Sequence, residues 1–226
     1  MKHLVIGEGE IGTALKKVLK CKSHDKESLP KQHFDIIHIA IPFSTGFTRV
    51  VRNYQKRYTP LHTVIHSTVE VGTCEKIKAC HSPVTGVHPH LQKSLKTFTK
   101  FVGGVGSETI ADELKKYGIP ATPVAFARDT EAGKLFNLMF YGINVLLEKE
   151  VYEYCKQNNC DYQTTYKAFV KAYNEGYQKM KVPHIKMYEL EHQPGGIGGH
   201  CVMENSPMLN TTFSKFLDNY NTGFIE

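Results

Sequence analysis

The stretch KHLVIGEGEIGTALKKVLK, Lys2 to Lys20, decides the fold of this chain. It opens with a short apolar run, Leu4–Ile6, which predicts a β-strand. A glycine-rich turn follows at once, and behind it apolar residues recur at helical spacing from Ile11 to Leu19. The order of strand, glycine turn and helix predicts the first unit of an alternating α/β sheet.

The turn itself, GEGEIG, matches the pattern G-x-G-x-x-G with Gly7, Gly9 and Gly12. In this pattern the first glycine permits a tight turn, the second lets a pyrophosphate approach the backbone, and the third lets the helix pack on the strand. The helix N-terminus then faces the phosphates. Because the match lies between a predicted strand and a predicted helix, it predicts a dinucleotide-binding site that includes Glu10 and Ile11.

Predicted strands and helices alternate up to about residue 126. The strands are 34–42, 62–68, 98–106 and 121–126, and the helices between them are 47–58 and 107–118. Ser107 is the predicted N-cap of the second helix. The alternation favours the α/β class, with a Rossmann-type doubly wound parallel sheet.

The pattern changes at Arg128, where a proline-free stretch with helical periodicity runs to about Asn158. At about 1.5 Å per residue this helix would be roughly 45 Å long, which is too long for the edge of a lone domain. We therefore predict an NAD-binding Rossmann-like domain, residues 1–127. Residues 128–226 are predicted to form the long central helix and a small, mostly helical domain for substrate binding and dimerisation. The expected assembly is a homodimer.

Charge and apolar patterning narrow the class of protein. The net charge is +6, with 28 Lys and Arg against 22 Asp and Glu. The basic residues are scattered, which argues against a nucleic-acid-binding protein and suits an anionic small-molecule substrate. No apolar run reaches the roughly 18 residues of a membrane helix, and the N-terminus lacks a signal-peptide cleavage pattern. The sequence predicts a cytoplasmic protein without membrane association.

The six cysteines include no C-x-x-C pair, so the sequence predicts no zinc or other metal site. Without a secretory signal, an even cysteine count is weak support for disulfides. We expect six free thiols in a reducing compartment.

The choice between NAD and NADP depends on the end of the second strand, about 20 residues after the glycine turn. Asp25 is the candidate there, since an acid would bind a ribose 2′-hydroxyl and favour NAD. The alternative remains open, because a cluster of neighbours could instead hold the 2′-phosphate of NADP: Lys22, Ser23, His24 and Lys26.

Three further stretches carry candidate site residues. Ser67 and Thr68 lie at the carboxyl end of a predicted strand, at the sheet edge where open α/β sheets bind ligands. TEAGKLFN places Lys134 near the start of the long helix, where a lysine could stabilise a developing oxyanion, with Asn137 one helical turn further on. PGGIGGHC, 194–201, is a poor helix and a weak strand, so it predicts a loop that presents Cys201 closely to a ligand.

Five segments together resemble the UDP-glucose/GDP-mannose (nucleotide-sugar) dehydrogenase family. They are VIGEGEIG, DIIHIAIP, STVEVGT, TEAGKLFN and PGGIGGHC, in the order of the family. The resemblance implies NAD-dependent oxidation of an alcohol, with cofactor contacts from Ala40, Ile41 and Pro42 as well as from Ser67 and Thr68. It further implies Cys201 as a nucleophile towards an aldehyde, Lys134 as the oxyanion holder, and Thr68 as a positioning residue.

The chain also departs from the family pattern. Glu204 and Asn205 stand three and four positions after the cysteine, where the family has Lys and Asp. Leu138 stands where the family has an asparagine, with Asn137 one place early, and Val84 replaces the acid of an SPE segment. Few residues follow Cys201, so the C-terminal domain of the family is missing. These departures leave the number of oxidation steps and the substrate open.

Two other functions remain open at this point. One is a catalytically impaired protein that keeps the dinucleotide fold and binds NAD. The other is a different enzyme of the 6-phosphogluconate-dehydrogenase type, because TGVHPHL resembles a His-Pro segment of such enzymes and offers His88 or His90 as a base.

Overall fold

A computed structural model describes residues 1–24, 32–198 and 201–224. The chain divides into two compact units, Met1–Leu135 and Phe136–Glu226. The boundary between the two units falls inside the long helix, Ala127–Asn158. The sequence-based division at residue 127 falls at the start of the same helix. Asp25 and Lys26 lie outside the described residues.

The first unit is built on a seven-stranded sheet. The strands are β1 His3–Ile6, β2 Lys22–His24, β3 Ile36–Ile39, β4 His62–Ile65, β5 Cys80–His81, β6 Lys100–Gly103 and β7 Ala121–Val124. Their order across the sheet is β2-β1-β3-β4-β5-β6-β7. The predicted fold class is confirmed, with one difference: β5 and β6 pair antiparallel, at His81 and Gly103, while the other pairs are parallel.

Helices cover both faces of this sheet. They are α1 Glu10–Leu19, α2 Phe47–Tyr58, α3 Thr73–Lys76, α4 Leu91–Thr97 and α5 Ser107–Lys115. Apolar residues of α1, α4 and α5 form one buried layer with the sheet, and those of α2 and α3 form the other. Strands buried on both faces explain the continuous apolar runs in the sequence.

The boundaries show what local sequence determines. Helix α2 begins and ends at the predicted residues. The strands β2 and β5 have only three and two residues, too few to show a pattern. The predicted N-cap was wrong: Ser107 is the first residue of α5, Gly106 is the N-cap, and no side chain caps this helix end.

The second unit begins inside the long helix α6, Ala127–Asn158, which has 32 residues. A π-helix, Gln163–Ala168, follows and continues as α7, Phe169–Lys179. A 3₁₀ turn, Ser206–Leu209, precedes α8, Thr212–Asn221.

A small apolar core joins these elements. Gly142 of α6 lets α8 approach closely, because a Cβ there would lie 2.7 Å from Leu217 and from Val202. In the described part of the chain, no helix has the length and apolar character that a membrane span requires.

Candidate functional site

The glycine turn after β1 has the close contacts that its three glycines predict. Gly7 has a φ of 99°, and a Cβ there would lie 2.4 Å from the Ala40 carbonyl oxygen. A Cβ on Gly12 would lie 1.9 Å from the carbonyl oxygen of Gly7, so α1 packs directly on the turn. A Cβ on Gly9 would meet nothing within 4 Å. The turn is therefore closed towards the protein at Gly7 and Gly12, and open at Gly9.

The open side coincides with the N-terminus of α1. Gly9 is its N-cap and has no side chain to accept from the first-turn amides. Such amides attract an anion, and the open space beside Gly9 gives a phosphate room to reach them. Glu10 and Ile11 lie in this first turn, and the exposed Glu10 carboxylate is 3.3 Å from His88 Nδ1. The residues present therefore fit a dinucleotide pyrophosphate.

A carboxylate stands beside β2, although it is not the predicted one. Glu8 accepts hydrogen bonds from the Ser23 hydroxyl and from Lys16 Nζ. These bonds lower the pKa of the exposed Glu8 carboxyl below its usual value. The hydroxyl of Ser23, a candidate partner of a 2′-phosphate, is thus hydrogen-bonded to a carboxylate.

The carboxyl ends of β3 and β4 meet at the same sheet edge as the glycine turn. The Ser67 hydroxyl donates to the Ile41 carbonyl oxygen at 2.5 Å, and the Ala40 amide donates to the Ile6 carbonyl oxygen at 2.8 Å. These contacts join Ala40 and Ile41 to the segments after β1 and β4. Pro42 is exposed and Thr68 is half-buried at this edge. The predicted residues of this edge are therefore neighbours in the structure.

The first two turns of α6 contact the end of β5. Lys134 Nζ donates to the Val84 carbonyl oxygen at 3.0 Å. One turn earlier, the buried Thr130 hydroxyl and His81 Nδ1 are 2.9 Å apart. Asn137 is exposed and lies in the second unit. Lys134 therefore reaches the segment in which Val84 replaces the acid of the family pattern, through a main-chain oxygen.

Among the buried charged residues that the sequence did not reveal, two contact the segments after β4 and β5. Glu131 accepts from the amides of Gly72 and Cys74, at 2.6 and 2.8 Å, and so fastens the turn before α3 to α6. Lys100 donates to the carbonyl oxygens of Ser82 and Pro83, at 2.5 and 2.9 Å. Burial lowers the pKa of Lys100 well below its usual value. Neither residue has a local sequence signal, because both depend on tertiary contacts.

Cys201 belongs to the second unit and is exposed. Its carbonyl oxygen accepts from the side-chain amide of Asn205 at 2.7 Å, which closes a turn after the cysteine. The preceding Gly199 and His200 lie outside the described residues. The Asn205 side chain is thus hydrogen-bonded to the main chain of its own turn.

The six cysteines are all unpaired in the structure. Over residues 1–24, 32–198 and 201–224, no group of three His, Cys, Asp or Glu side chains is arranged to hold a metal ion. His90 is exposed at the start of α4, and His88 is exposed beside Glu10.

No protein-family model matches the sequence, and no curated protein matches it. Solved structures match in fold. UDP-D-ManNAc dehydrogenase from Pyrococcus horikoshii has a TM-score of 0.78 and 16% identity, over 99% of this chain and 69% of its own. The 3-hydroxyisobutyrate dehydrogenase of Mycobacterium tuberculosis, solved with L-serine, has a TM-score of 0.72 and 12% identity, over 99% of this chain and 93% of its own.

Psf3, solved with NADP⁺ and 2-OPP, has a TM-score of 0.60 and 14% identity, over 97% of this chain and 93% of its own. The chain therefore shares its fold with dehydrogenases, including a UDP-sugar dehydrogenase. The resemblance to nucleotide-sugar dehydrogenases is confirmed at the level of the fold.

Proposed function

We propose that this chain is an NAD-dependent oxidoreductase that oxidises an alcohol of a sugar or another small molecule. The observation that carries the proposal is the glycine turn, which is closed at Gly7 and Gly12 and open at Gly9 beside the N-terminus of α1. Likeness in fold to a UDP-sugar dehydrogenase supports a nucleotide sugar as the substrate class.

Lys134 and Thr68 are the proposed active-site residues of the first unit. Bound NAD would accept a hydride from the alcohol carbon. Negative charge develops on the substrate oxygen as its hydroxyl proton leaves to solvent, before the hydride is transferred, and the Lys134 ammonium would stabilise that charge. Lys134 has three donor hydrogens, and its bond to the Val84 carbonyl oxygen fixes the direction of the side chain.

NAD is favoured over NADP by the environment of Ser23. Because its hydroxyl donates to the Glu8 carboxylate, a 2′-phosphate at this position would lie next to a negative charge. Repulsion between like charges then opposes NADP, whereas a ribose 2′-hydroxyl is tolerated. The assignment of Asp25 to the ribose stays a prediction.

Replacement of Lys134 by Ala is expected to lower kcat/KM by about 10²–10³-fold and to leave NAD affinity within about threefold. The reason is that the ammonium acts on charge that develops only during the reaction. Calorimetric titration with NAD and with NADP gives the affinities, and absorbance of NADH gives the rate on a panel of sugars and nucleotide sugars.

Lys93→Ala is the matched control, since Lys93 is an exposed lysine of α4. Unchanged turnover in the Lys134 variant would remove this residue from the mechanism. NAD binding without turnover on any substrate would instead favour a binding protein.

We propose Cys201 as the thiol that adds to the carbonyl product: as the sulfur–carbon bond forms, the carbonyl double bond opens and its oxygen takes up the thiol proton. A second oxidation would then require hydrolysis of a thioester, and the residue at the family base position is Asn205, whose amide does not accept a proton at neutral pH. The expected stoichiometry is one NADH per substrate molecule. A ratio of two that falls to one in Cys201→Ala would contradict this expectation and establish a four-electron oxidation.

A second candidate is a dehydrogenase of small hydroxy acids that does not use Cys201. It is favoured by the match to 3-hydroxyisobutyrate dehydrogenase, which covers 93% of that chain. Turnover of such an acid that depends on Lys134 and is unchanged in Cys201→Ala would select this candidate. Activity that depends on His88 or His90 would favour an enzyme of the 6-phosphogluconate-dehydrogenase type, in which one of these histidines is the base.

The proposed homodimer is supported by one face of α6. Four large apolar side chains are exposed there, Phe136 48%, Phe140 59%, Leu147 59% and Tyr154 57%. Their spacings of four and seven residues place them on one stripe, which a second copy of the helix would cover.

Light scattering is expected to give a dimer mass at micromolar concentration. Leu147→Lys should shift the mass to that of a monomer, because the lysine would be desolvated in the interface. Lys171→Glu, an exposed change on α7, serves as the control and should stay dimeric. A monomeric native protein would overturn the proposal.

A cytoplasmic location is also part of the proposal. Its support is the set of six unpaired thiols, which suits a reducing compartment. Fractionation should recover the protein with the membrane-free lysate, and recovery from the membrane pellet would contradict it.

A further inference from the structure

Three buried histidines form a continuous line of contacts across one face of the sheet in the first unit. His3 Nδ1 and His38 Nε2 are 2.9 Å apart, and His38 Nδ1 and His66 Nε2 are also 2.9 Å apart. The rings of each pair are stacked, with centroids 5.2 Å apart. All three side chains are at most 5% exposed.

The line runs diagonally because of the strand register. His38 pairs with Val5 of β1 and with Val64 of β4, so each histidine lies two residues further along its strand than the one before. The series thus starts at the amino edge of the sheet, with His3, and ends at the carboxyl edge, with His66. The carboxyl edge carries the proposed cofactor site.

Both ends of the line meet hydrogen-bond acceptors. At the amino edge, His3 Nε2 is 3.2 Å from Glu113 Oε1. Hydrogen bonds from Lys116 and His3 outweigh the effect of burial and lower the pKa of Glu113 to about 2, so this carboxyl is ionised. At the carboxyl edge, His66 Nδ1 is 2.7 Å from the Ser82 carbonyl oxygen. A carbonyl oxygen can only accept.

Counting hydrogens shows that three neutral rings cannot satisfy this arrangement. The line has four contacts: Glu113 to His3, His3 to His38, His38 to His66, and His66 to Ser82. A neutral imidazole has one N–H, so three neutral rings supply three hydrogens for four contacts. One contact is then left with two facing acceptors, unless the line takes up one additional proton.

The presence or absence of the additional proton determines which ring nitrogens of the three histidines carry a hydrogen. With the additional proton, His3 has both N–H groups, and His38 and His66 have Nδ1–H. Without it, the carboxylate is the stronger acceptor and keeps its hydrogen. Every ring then has Nε2–H, and the Ser82 carbonyl oxygen loses the His66 donor while it keeps the hydrogen bond from Lys100. The same three side chains therefore have two ordered states, which differ by one proton.

We propose that Glu113, His3, His38 and His66 form a one-proton tautomer switch that couples the amino edge of the sheet to the Ser82–Val84 segment. Lys134 donates to the Val84 carbonyl oxygen in this segment, so the four residues are positioning residues for Lys134. This last link rests on the proposed function, whereas the tautomer switch itself does not.

Other titratable groups face the line and set the pH at which it changes state. At the amino edge they are Met1, Asp35, Lys116 and Tyr117, and at the carboxyl edge they are His81 and Lys100. Burial lowers the pKa of His3, and the Glu113 carboxylate opposes this effect. The net effect lowers the pKa of His3, so the change of state is expected below pH 6.5, with the additional proton present on the acid side.

Ring ¹⁵N NMR of the full-length protein tests the switch without any assay of activity. In the wild type, we expect His66 to be the Nδ1–H tautomer at pH 5 and the Nε2–H tautomer at pH 8. The same tautomer at both pH values would overturn the proposal, and this reading needs no variant to fold.

Glu113→Gln sharpens the test. The glutamine amide can donate to His3 Nε2, so four contacts are filled with three neutral rings and no additional proton. His66 should then remain the Nδ1–H tautomer from pH 5 to pH 8. Asp112→Asn is the matched control, because it removes an exposed charge from the neighbouring position of α5 and should switch like the wild type.

Enzyme kinetics then tests the link to Lys134. The pH profile of kcat/KM should lose one step in Glu113→Gln and keep it in Asp112→Asn. If His66 changes tautomer with pH but the pH profile of kcat/KM is the same in Glu113→Gln as in the wild type, the positioning role is disproved. An inactive wild-type protein with a switching His66 would instead count against the proposed function alone.

Discussion

Lowering the pH from 7 to 5 is expected to reduce the free energy of unfolding of the first unit by about 6 kcal/mol, because three buried histidines take up protons only in the unfolded chain. His38, His66 and His81 are at most 1% exposed. Burial lowers the pKa of His38 and His66 well below 6.5, and that of His81 to about 3.

The direction follows from the lowered pKa values. In the unfolded chain each histidine binds a proton below about pH 6.5, whereas in the fold it stays neutral until the pH falls to its lowered pKa. The protonation of the unfolded chain therefore has little effect on stability well above pH 6.5 and reduces stability progressively as the pH falls below it. At pH 5 each histidine costs about 2 kcal/mol, and a whole domain has only about 5–15 kcal/mol.

Urea unfolding at pH 7, 6 and 5, followed by circular dichroism, measures this dependence. His38→Leu should reduce the loss between pH 7 and 5 by about 2 kcal/mol, since one proton-binding group is removed from the unfolded chain. His90→Gln, an exposed change, should leave the loss unaltered. Equal stability at pH 7 and pH 5 would contradict the assignment of these histidines as buried and neutral.

Substitution of Gly12 by Ala is expected to abolish NAD binding and to destabilise the first unit by several kcal/mol, about 3 or more. The added Cβ would lie 1.9 Å from the Gly7 carbonyl oxygen. The Cβ is bonded directly to the main chain, and the oxygen is part of it. Neither can move without separating α1 from β1. Thermal unfolding and calorimetric titration with NAD measure the two effects.

Gly9→Ala separates binding from folding. A Cβ at Gly9 would meet no protein atom within 4 Å, so stability should change by less than about 1 kcal/mol. NAD affinity should still fall at least about tenfold, because the methyl group occupies the space proposed for the pyrophosphate. Gly176→Ala, in the open on α7, is the control and should not alter NAD affinity. Unchanged affinity in Gly9→Ala would place the cofactor elsewhere.

Much of the fold could be predicted because its signals are local. The glycine turn and the helix period of α2 each lie within a dozen residues, and α2 was predicted to the residue. The reversal at β6 could not be predicted, since an apolar strand has no signal for the direction of its neighbour. The short strands β2 and β5 are defined by pairing with long neighbours, so they are also non-local features.

The candidate site was predictable only in part for the same reason. The glycines could be identified from spacing, because each acts through its own backbone. His38 and His66 were read as parts of apolar strands, and their alignment depends on the register of three strands. The Lys134 contact depends on a main-chain oxygen fifty residues away in sequence, which no side-chain motif records.

The antiparallel pairing of β5 and β6 has a consequence for the route of the chain. Because β6 and β7 run against the first five strands, β7 ends at the amino edge of the sheet, opposite the edge that binds ligands. Helix α6 starts there and must travel back across the sheet. It passes His81 with Thr130 and Val84 with Lys134, within about 10 Å of helix length. Because β6 and β7 are reversed, α6 starts at the amino edge of the sheet, and its second turn reaches the ligand-binding edge.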